Sequence, residues 1–200
     1  MKKVSKPGFW NKRYLDDNTG WDIGAPTPIL TNYLKENKSI GKVCVLGCGN
    51  GHDALELARY NNDVYAVDFA KKALDNLKQS SANEKLAINL VNEDLFNLNS
   101  HYSTFFDLVF EYTCFCAIDP SRRKEYFDVV HKILKKNGLL FAIFIPLDKK
   151  INNEGPPFGV DISQIENLIF NKFDIIKNEF SILSIKPRKN REKVLILKKK

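Results

Sequence analysis

An apolar segment that runs into alternating glycines constrains the fold more than any other feature of this chain. Residues 43–54 read Val-Cys-Val-Leu-Gly-Cys-Gly-Asn-Gly-His-Asp-Ala, and a second apolar segment, 64–67, is followed by Asp68. A strand, a glycine-rich turn, a helix and a second strand with an acid at its end predict a site for a nucleoside cofactor. A turn that only connects a strand to a helix is the alternative, and the placement of Asp68 argues against it.

The spacing of the glycines also restricts the cofactor. A dinucleotide fingerprint has its third glycine where this chain has His52, so that the helix packs closely on the strand and faces a pyrophosphate. The pattern formed by Gly47, Gly49 and Gly51 instead suits a cofactor without phosphate, with Asp68 accepting hydrogen bonds from both ribose hydroxyls. S-adenosylmethionine meets this description, and S-adenosylhomocysteine would be its product.

The alternation of strand and helix patterns predicts one α/β domain over residues 1–200. Strands are predicted near 42–47, 63–68, 86–91, 106–112, 138–145, 173–183 and 192–198, and helices near 51–60, 70–80, 121–136 and 161–170. Gly138 is interpreted as the stop signal of the helix before the fifth strand. We expect a doubly wound, mostly parallel, seven-stranded sheet with one antiparallel strand. An N-terminal helical cap, 1–40, would cover the active site.

The net charge of +7 raises the question of a nucleic-acid partner. Residues 186–200 carry eight basic side chains and one acidic one, which leaves 23 basic and 23 acidic side chains in 1–185. Because no aromatic residues are interleaved with the basic ones, a nucleic-acid partner is not expected. A solvated surface feature or a lid over an anionic group remain the other interpretations of this segment.

The sequence gives no sign of export or of a membrane span. The start of the chain lacks the apolar core of a signal peptide, and no apolar run is long enough to cross a bilayer. We therefore expect a cytoplasmic protein without a membrane partner, and a monomer by default. The four cysteines have the spacing neither of a disulfide framework nor of a zinc site, so no metal is predicted.

Several longer motifs identify a family. The chain resembles the class I S-adenosylmethionine-dependent methyltransferases of the thiopurine methyltransferase superfamily, and within it the halide/thiol methyltransferase branch. The resemblance covers nearly the whole chain and implies the Rossmann-like methyltransferase fold. The motifs that carry it lie at 21–28, 47–53, 93–96, 106–112 with 115–120, 155–158 and 187–193.

The resemblance implies roles for the cofactor residues. Gly47 and its neighbour Gly49 would face the methionine part, and Asp68 would face the ribose. Asp94 would accept a hydrogen bond from the adenine amino group, while the backbone of Leu95 would meet the ring. Acidic side chains and backbone groups at the ends of strands are well placed to make these separate contacts with the ribose and the adenine.

Aromatic residues are implied around the reactive end of the cofactor. Tyr112 would end the fourth strand beside the sulfonium, and Trp10, Tyr14 and Trp21 would close over the cofactor and the acceptor. Aromatic faces attract a cation by about 0.5–2 kcal/mol. By spacing alone, these three cap residues would equally suit a core cluster.

The acceptor is predicted to be a small soft nucleophile, namely a thiol, hydrosulfide, a thiopurine or a halide. A halide or a thiolate is ready to react and needs no protein base. Phe158 would lie against this acceptor. The chain departs from the halide/thiol branch at two positions: Phe158 stands where the branch often has tyrosine, and Tyr14 stands where the branch often has tryptophan. Phenylalanine there favours a more apolar thiol. Arg123 is the candidate contact for an anionic acceptor or for the cofactor carboxylate, and Glu111 or Asp119 would either deprotonate a thiol or only balance charge. An O-, N- or RNA methyltransferase, and a cofactor-binding protein without turnover, are the alternatives.

Overall fold

The computed structural model describes residues 3–152 and 154–200, which form one twisted sheet flanked by helices. The strands are β1 Lys42–Leu46, β2 Asp63–Val67, β3 Asn89–Val91, β4 Phe106–Tyr112, β5 Leu134–Phe144, β6 Phe173–Glu179 and β7 Lys193–Lys199. The helices are α1 Pro7–Leu15, α2 Pro28–Glu36, α3 His52–Arg59, α4 Lys71–Glu84, α5 Arg123–Ile133 and α6 Ile162–Ile169.

The strand order is β3-β2-β1-β4-β5-β7-β6. Pairing is parallel from β3 to β5, and β7 runs antiparallel to both β5 and β6. The predicted doubly wound sheet with one antiparallel strand is therefore confirmed. The order reverses between β1 and β4, and crevices at such a reversal are where ligands bind in open α/β sheets.

The central strands are buried because helices cover both faces of the sheet. Val43, Cys44, Val45 and Leu46 of β1 are each at most 3% exposed, which explains their unbroken apolar run. The second half of the basic C-terminal segment is β7, whose central residues 194–197 are buried as well. This half is thus an internal strand of the sheet rather than a solvated tail.

The boundary between α5 and β5 differs from the prediction. The helix ends at Ile133 and the strand begins at once, with Leu134 buried and paired with Phe106. Asn137 has φ of 64°, and the register of β4 and β5 shifts between Phe106 and Leu108. Gly138 therefore lies within the irregular start of a strand, and its prediction as a helix stop is wrong.

The N-terminal segment packs beside α4 at one end of the sheet. The side-chain carbonyl of Asn11 on α1 accepts a hydrogen bond from the Lys72 backbone N–H at 2.8 Å. Trp10 and Tyr14 are buried in a cluster with Ala70 and Ala73. Among the described residues, no helix has the length and apolar character needed to cross a membrane.

Candidate active site

A cavity of about 440 Å³ lies at the carboxyl ends of the central parallel strands. Its wall includes the first residues beyond four of them, namely Gly47 after β1, Asp68 after β2, Thr113 after β4 and Ile145 after β5. The sequence-predicted site residues that the cavity brings together are Trp10, Tyr14, Trp21, Gly47, Asp68, Asp94 and Leu95.

The glycine loop allows two other segments to touch its backbone. Gly47 and Gly49 have φ of 58° and 56°, which favours glycine. A Cβ on Gly47 would lie 2.8 Å from the Cys114 Sγ, and one on Gly49 would lie 2.8 Å from the Tyr14 hydroxyl. Gly49 itself lines a smaller neighbouring pocket of about 60 Å³ rather than the main cavity. The loop is therefore shaped by the cap on one side and by the turn after β4 on the other.

Asp68 is a buried carboxylate with acceptor capacity to spare. Its Oδ2 accepts from the Gly49 N–H at 3.0 Å and its Oδ1 from the Ala70 N–H at 2.8 Å. Each carboxylate oxygen can accept a second hydrogen bond. Burial raises the pKa of Asp68 to about 6, although the backbone donors oppose this rise. At neutral pH the group is mostly ionised and matches the two hydroxyls of a ribose.

Asp94 and Leu95 form another part of the wall. The Asp94 Oδ1 accepts from the Phe96 N–H at 3.1 Å and so fixes the turn that begins at Leu95. The Arg122 guanidinium lies 3.4 Å from the centroid of the Phe96 ring, and its Nη1 lies 4.0 Å from the Asp94 Oδ2. The Asp94 carboxylate remains one-third exposed, so it can accept from a ligand amino group.

Three cap aromatics lie together on the cavity wall. The ring centroids of Trp10 and Trp21 are 5.5 Å apart, and those of Tyr14 and Trp21 are 5.7 Å apart, both edge to face. The Trp10 indole N–H donates to the Val4 carbonyl at 2.8 Å, which leaves the ring faces as its contact surface. The Arg13 guanidinium lies 4.9 Å from the Trp21 ring centroid and also reaches the cavity. The cap is thus both a packed cluster and a cavity wall.

Arg188 and Arg191 are cavity residues that the sequence did not single out. Arg188 is 8% exposed, its Nη2 donates to the Trp21 carbonyl, and its guanidinium lies 4.7 Å from the Tyr112 ring centroid. Its Nη1 is buried without a hydrogen-bond partner among the described residues. The sequence signal for these two residues is the basic segment 186–200, which was interpreted above either as a solvated surface feature or as a lid over an anionic group.

Tyr112 does not line the main cavity. It shares its face of β4 with Leu108 and Phe110, because side chains alternate along a strand, and it borders the smaller pocket. Its hydroxyl donates to the Glu192 Oε2 at 2.8 Å. Thr113, with φ of 65°, turns the chain and takes the cavity position that was expected of Tyr112.

Arg123 is also absent from the cavity wall. It begins α5 facing the core, with its guanidinium 4.7 Å from the Phe115 ring centroid, whereas the preceding Arg122 faces the cavity. Buried near it, Glu111 accepts through Oε2 from the N–H groups of Cys114 and Phe115 at 3.2 and 3.0 Å. Arg123 and Glu111 therefore support the turn after β4 from behind, and neither of them lines the cavity.

Phe158 lies behind the cavity wall rather than on it. It is 1% exposed and clusters with Trp10 and Tyr14, while Pro156 and Pro157 take the positions on the wall. Its backbone N–H donates to the Cys116 carbonyl at 2.7 Å. The missing tyrosine hydroxyl at 158 therefore offers no direct argument about the acceptor.

Comparisons with known proteins agree with this arrangement. The family model described as thiopurine S-methyltransferase matches residues 5–200. The probable thiol methyltransferase 2 of Arabidopsis thaliana is 33% identical over 97% of this chain and 86% of its own length. The thiocyanate methyltransferase 1 of the same plant is 30% identical over the same shares.

A solved structure shows the same fold. It is the 1,6-didemethyltoxoflavin-N1-methyltransferase of Burkholderia thailandensis with bound 1,6-didemethyltoxoflavin and S-adenosylhomocysteine. Its TM-score is 0.76 at 14% identity, over 96% of this chain and 86% of that chain. The family model covers almost all of the sequence, and the fold places its glycine loop and acids around one cavity. The chain belongs to the thiopurine S-methyltransferase family.

Proposed function

We propose that this S-adenosylmethionine-dependent methyltransferase methylates small soft nucleophiles, namely thiols, hydrosulfide, thiopurines or halide ions. The observation that carries the proposal is a single cavity that joins the cofactor-loop residues to a wall of apolar groups and arginines. Among the described residues, no histidine or lysine lines this cavity. Glu93 and Asp119 do line it, and the Asp119 Oδ1 already accepts from the Ser121 N–H and hydroxyl. Such a site suits a nucleophile that is already anionic when it reacts.

The residues present fit the cofactor. Gly47 gives close backbone approach, Asp68 has free acceptor sites, and Asp94 lies at the other end of the wall. When bound, the cofactor supplies a methyl group on a positively charged sulfur, which a nucleophile takes by in-line displacement. The aromatic faces of Trp10 and Trp21 favour such a positive charge and exclude water.

Three arginines provide the attraction for the acceptor. Arg13, Arg188 and Arg191 all reach the cavity, and Arg188 has a buried N–H group without a partner among the described residues. A positive field favours the thiolate over the thiol, which lowers the pKa of a bound thiol. Arg188 is fixed by Trp21 and Tyr112 and so can orient the anion as well as attract it.

The proposal is tested with purified protein, S-adenosylmethionine and a panel of a small thiol, hydrosulfide, iodide, a thiopurine and bulk RNA. We expect methylation of thiols, hydrosulfide, the thiopurine or iodide. Methylation of RNA alone would favour the nucleic-acid alternative. Tight cofactor binding without methylation of any compound would favour a binding protein without turnover.

A variant pair tests the role of Arg188. Arg188→Gln removes a charged donor, so we expect kcat/KM for the best anionic acceptor to fall by roughly ten- to a hundredfold. The cofactor dissociation constant should change little. Lys189→Gln is the matched control, because Lys189 is exposed and lies outside the cavity wall. Equal kinetics for both variants would contradict a role for Arg188 in acceptor binding.

A further inference from the structure

Exposed apolar side chains are concentrated at the open edge of the sheet. Of the seven large apolar side chains that are exposed among the described residues, only Leu15 lies elsewhere. The other six are Phe170, Ile175, Ile176, Phe180, Ile182 and Leu183. Ile182 is 91% exposed, the largest exposed fraction among these seven side chains. We call residues 170–183 the β6 edge.

The β6 edge is long and has no strand beyond it. Among the described residues, β6 is the last strand in the sheet order and pairs only with β7. Its seven residues span about 23 Å at the usual rise per residue. Phe170 lies just before this strand and Phe180 just after it, so apolar groups follow the whole length of the edge.

The net positive charge of the chain lies in the same C-terminal part of the sequence, although Arg188 and Arg191 of this part face the cavity. Residues 170–200 carry ten basic and three acidic side chains, a net charge of +7, whereas 1–169 carry 21 of each sign. Glu192 is buried, and Asp174 and Glu179 each lie within ion-pair distance of a lysine. The whole net charge of the chain therefore arises from the β6 edge and the segment that follows it.

Basic and apolar groups are interleaved rather than separate. The Lys200 Nζ lies 5.7 Å from the Phe170 ring centroid at one end of the edge. At the other end, the Lys193 Nζ lies 5.2 Å from the Phe180 ring centroid. Lys177 is exposed on β6 between these ends. Lysines beside exposed apolar side chains are the composition with which proteins bind the surface of an anionic bilayer.

We propose that the β6 edge docks on an anionic lipid bilayer. The apolar side chains enter the boundary between headgroups and acyl chains, and the surrounding lysines contact the acidic headgroups. This is binding to a surface, which requires no spanning helix. It goes beyond the methyl transfer proposed above and does not depend on it.

Two other partners match the edge less well. A second copy of the chain would bring two lysine-bearing edges of like charge against each other, which opposes association. A nucleic acid would use the lysines but gain little from Ile175, Ile176, Ile182 and Leu183, because bases stack on aromatic rings rather than on aliphatic groups. Charge together with aliphatic exposure therefore favours a bilayer.

Vesicle sedimentation tests this proposal. The full chain is mixed with vesicles of phosphatidylcholine alone, or of phosphatidylcholine with an equal amount of phosphatidylglycerol. We expect binding to the mixed vesicles only, weakened by added salt. The double variant F180S/I182S should bind at least about tenfold more weakly. L15S is the matched control and should bind like the unaltered chain.

The remaining outcomes would overturn the proposal. Both substituted side chains of the double variant are exposed, so thermal unfolding should be unchanged and a loss of binding cannot be ascribed to misfolding. Equal binding of L15S and F180S/I182S, or no binding to mixed vesicles, contradicts docking by this edge. Binding of RNA without binding of vesicles would show that the basic side chains bind a polynucleotide instead of a bilayer. A concentration-dependent dimer of the unaltered chain that is lost in F180S/I182S would show that the β6 edge binds a second copy of the chain.

Discussion

The pH dependence of stability should reveal how the buried Glu111 is held. Its side chain is 0% exposed, and burial raises its pKa from 4.5 to about 7. The two backbone N–H groups and the Arg123 guanidinium oppose this rise without cancelling it. We predict that, between these two pH values, folding of the chain takes up a proton at Glu111.

The sign and the size of the effect follow from linkage. Because the pKa is higher in the folded state, the contribution of Glu111 to stability is complete below pH 4.5 and is lost as the pH rises through about 7. The difference between the two pKa values corresponds to about 3 kcal/mol. For a chain of this length, that is roughly 6–12 °C in the unfolding temperature.

The perturbation is Glu111→Gln, which keeps a carbonyl oxygen for the Cys114 and Phe115 N–H groups and removes the titration. Other groups titrate in the same range, so the quantity of interest is the unfolding free energy of the unaltered protein minus that of the variant. Urea denaturation at a series of pH values measures this difference. We expect it to fall by about 3 kcal/mol between pH 4.5 and 7 and to be constant above pH 8.

A difference that stays constant with pH would refute the reasoning. It would mean that Arg123 holds Glu111 ionised as a buried ion pair, in spite of the desolvation. The double variant E111Q/R123M separates the two cases further. In an ion pair, the second substitution should recover much of the stability lost with the first, because an unpaired buried charge costs about 3–5 kcal/mol.

Three further predictions concern the cavity. Asp68→Asn should weaken cofactor binding by roughly ten- to a hundredfold, as measured by calorimetry. The cofactor affinity of the unaltered protein should rise as the pH rises through about 6, whereas that of the variant should not change over this range. Gly49→Ala should lower the unfolding temperature for two reasons, the positive φ at residue 49 and the overlap of the added Cβ with the Tyr14 hydroxyl. Adding Tyr14→Phe to this variant should recover only the part of the loss that is due to the overlap. Asp148→Ala removes the carboxylate that lies 2.7 Å from the Arg191 Nε and so leaves the charge of this cavity arginine unneutralised. Steady-state kinetics should show a lower KM for an anionic acceptor, with little change in unfolding temperature.

The cofactor half of the site was predictable because its signals are local. Gly47 and Asp68 each directly follow a parallel strand, and neighbouring parallel strands bring their carboxyl ends to one place. Asp94 follows the third such strand by three residues. Hydrophobic period and glycine spacing were therefore enough to predict the sheet and the positions of Gly47 and Asp68, whereas the role of Asp94 came from the family resemblance.

Side-chain direction beyond a strand or at a helix start was not predictable in the same way. Tyr112 and Thr113 are adjacent, yet a single positive φ decides which of them lines the cavity. Arg122 and Arg123 differ by one helical step, which decides between cavity and core. At such positions, a motif match predicts which segment lies beside the cavity but not which of its side chains lines the cavity.

The part of the cavity proposed to bind the acceptor is assembled from segments that are far apart in sequence. Arg188 donates to the carbonyl of Trp21, and the Arg191 side chain pairs with Asp148, so the segment before β7 joins the cap to the proline-containing loop. None of these contacts involves Gly47 or Asp68. Substitutions at this junction can therefore change the acceptor while the cofactor wall stays intact. Relatives of this family that act on different acceptors should accordingly differ most at the positions of Arg188, Arg191 and Asp148.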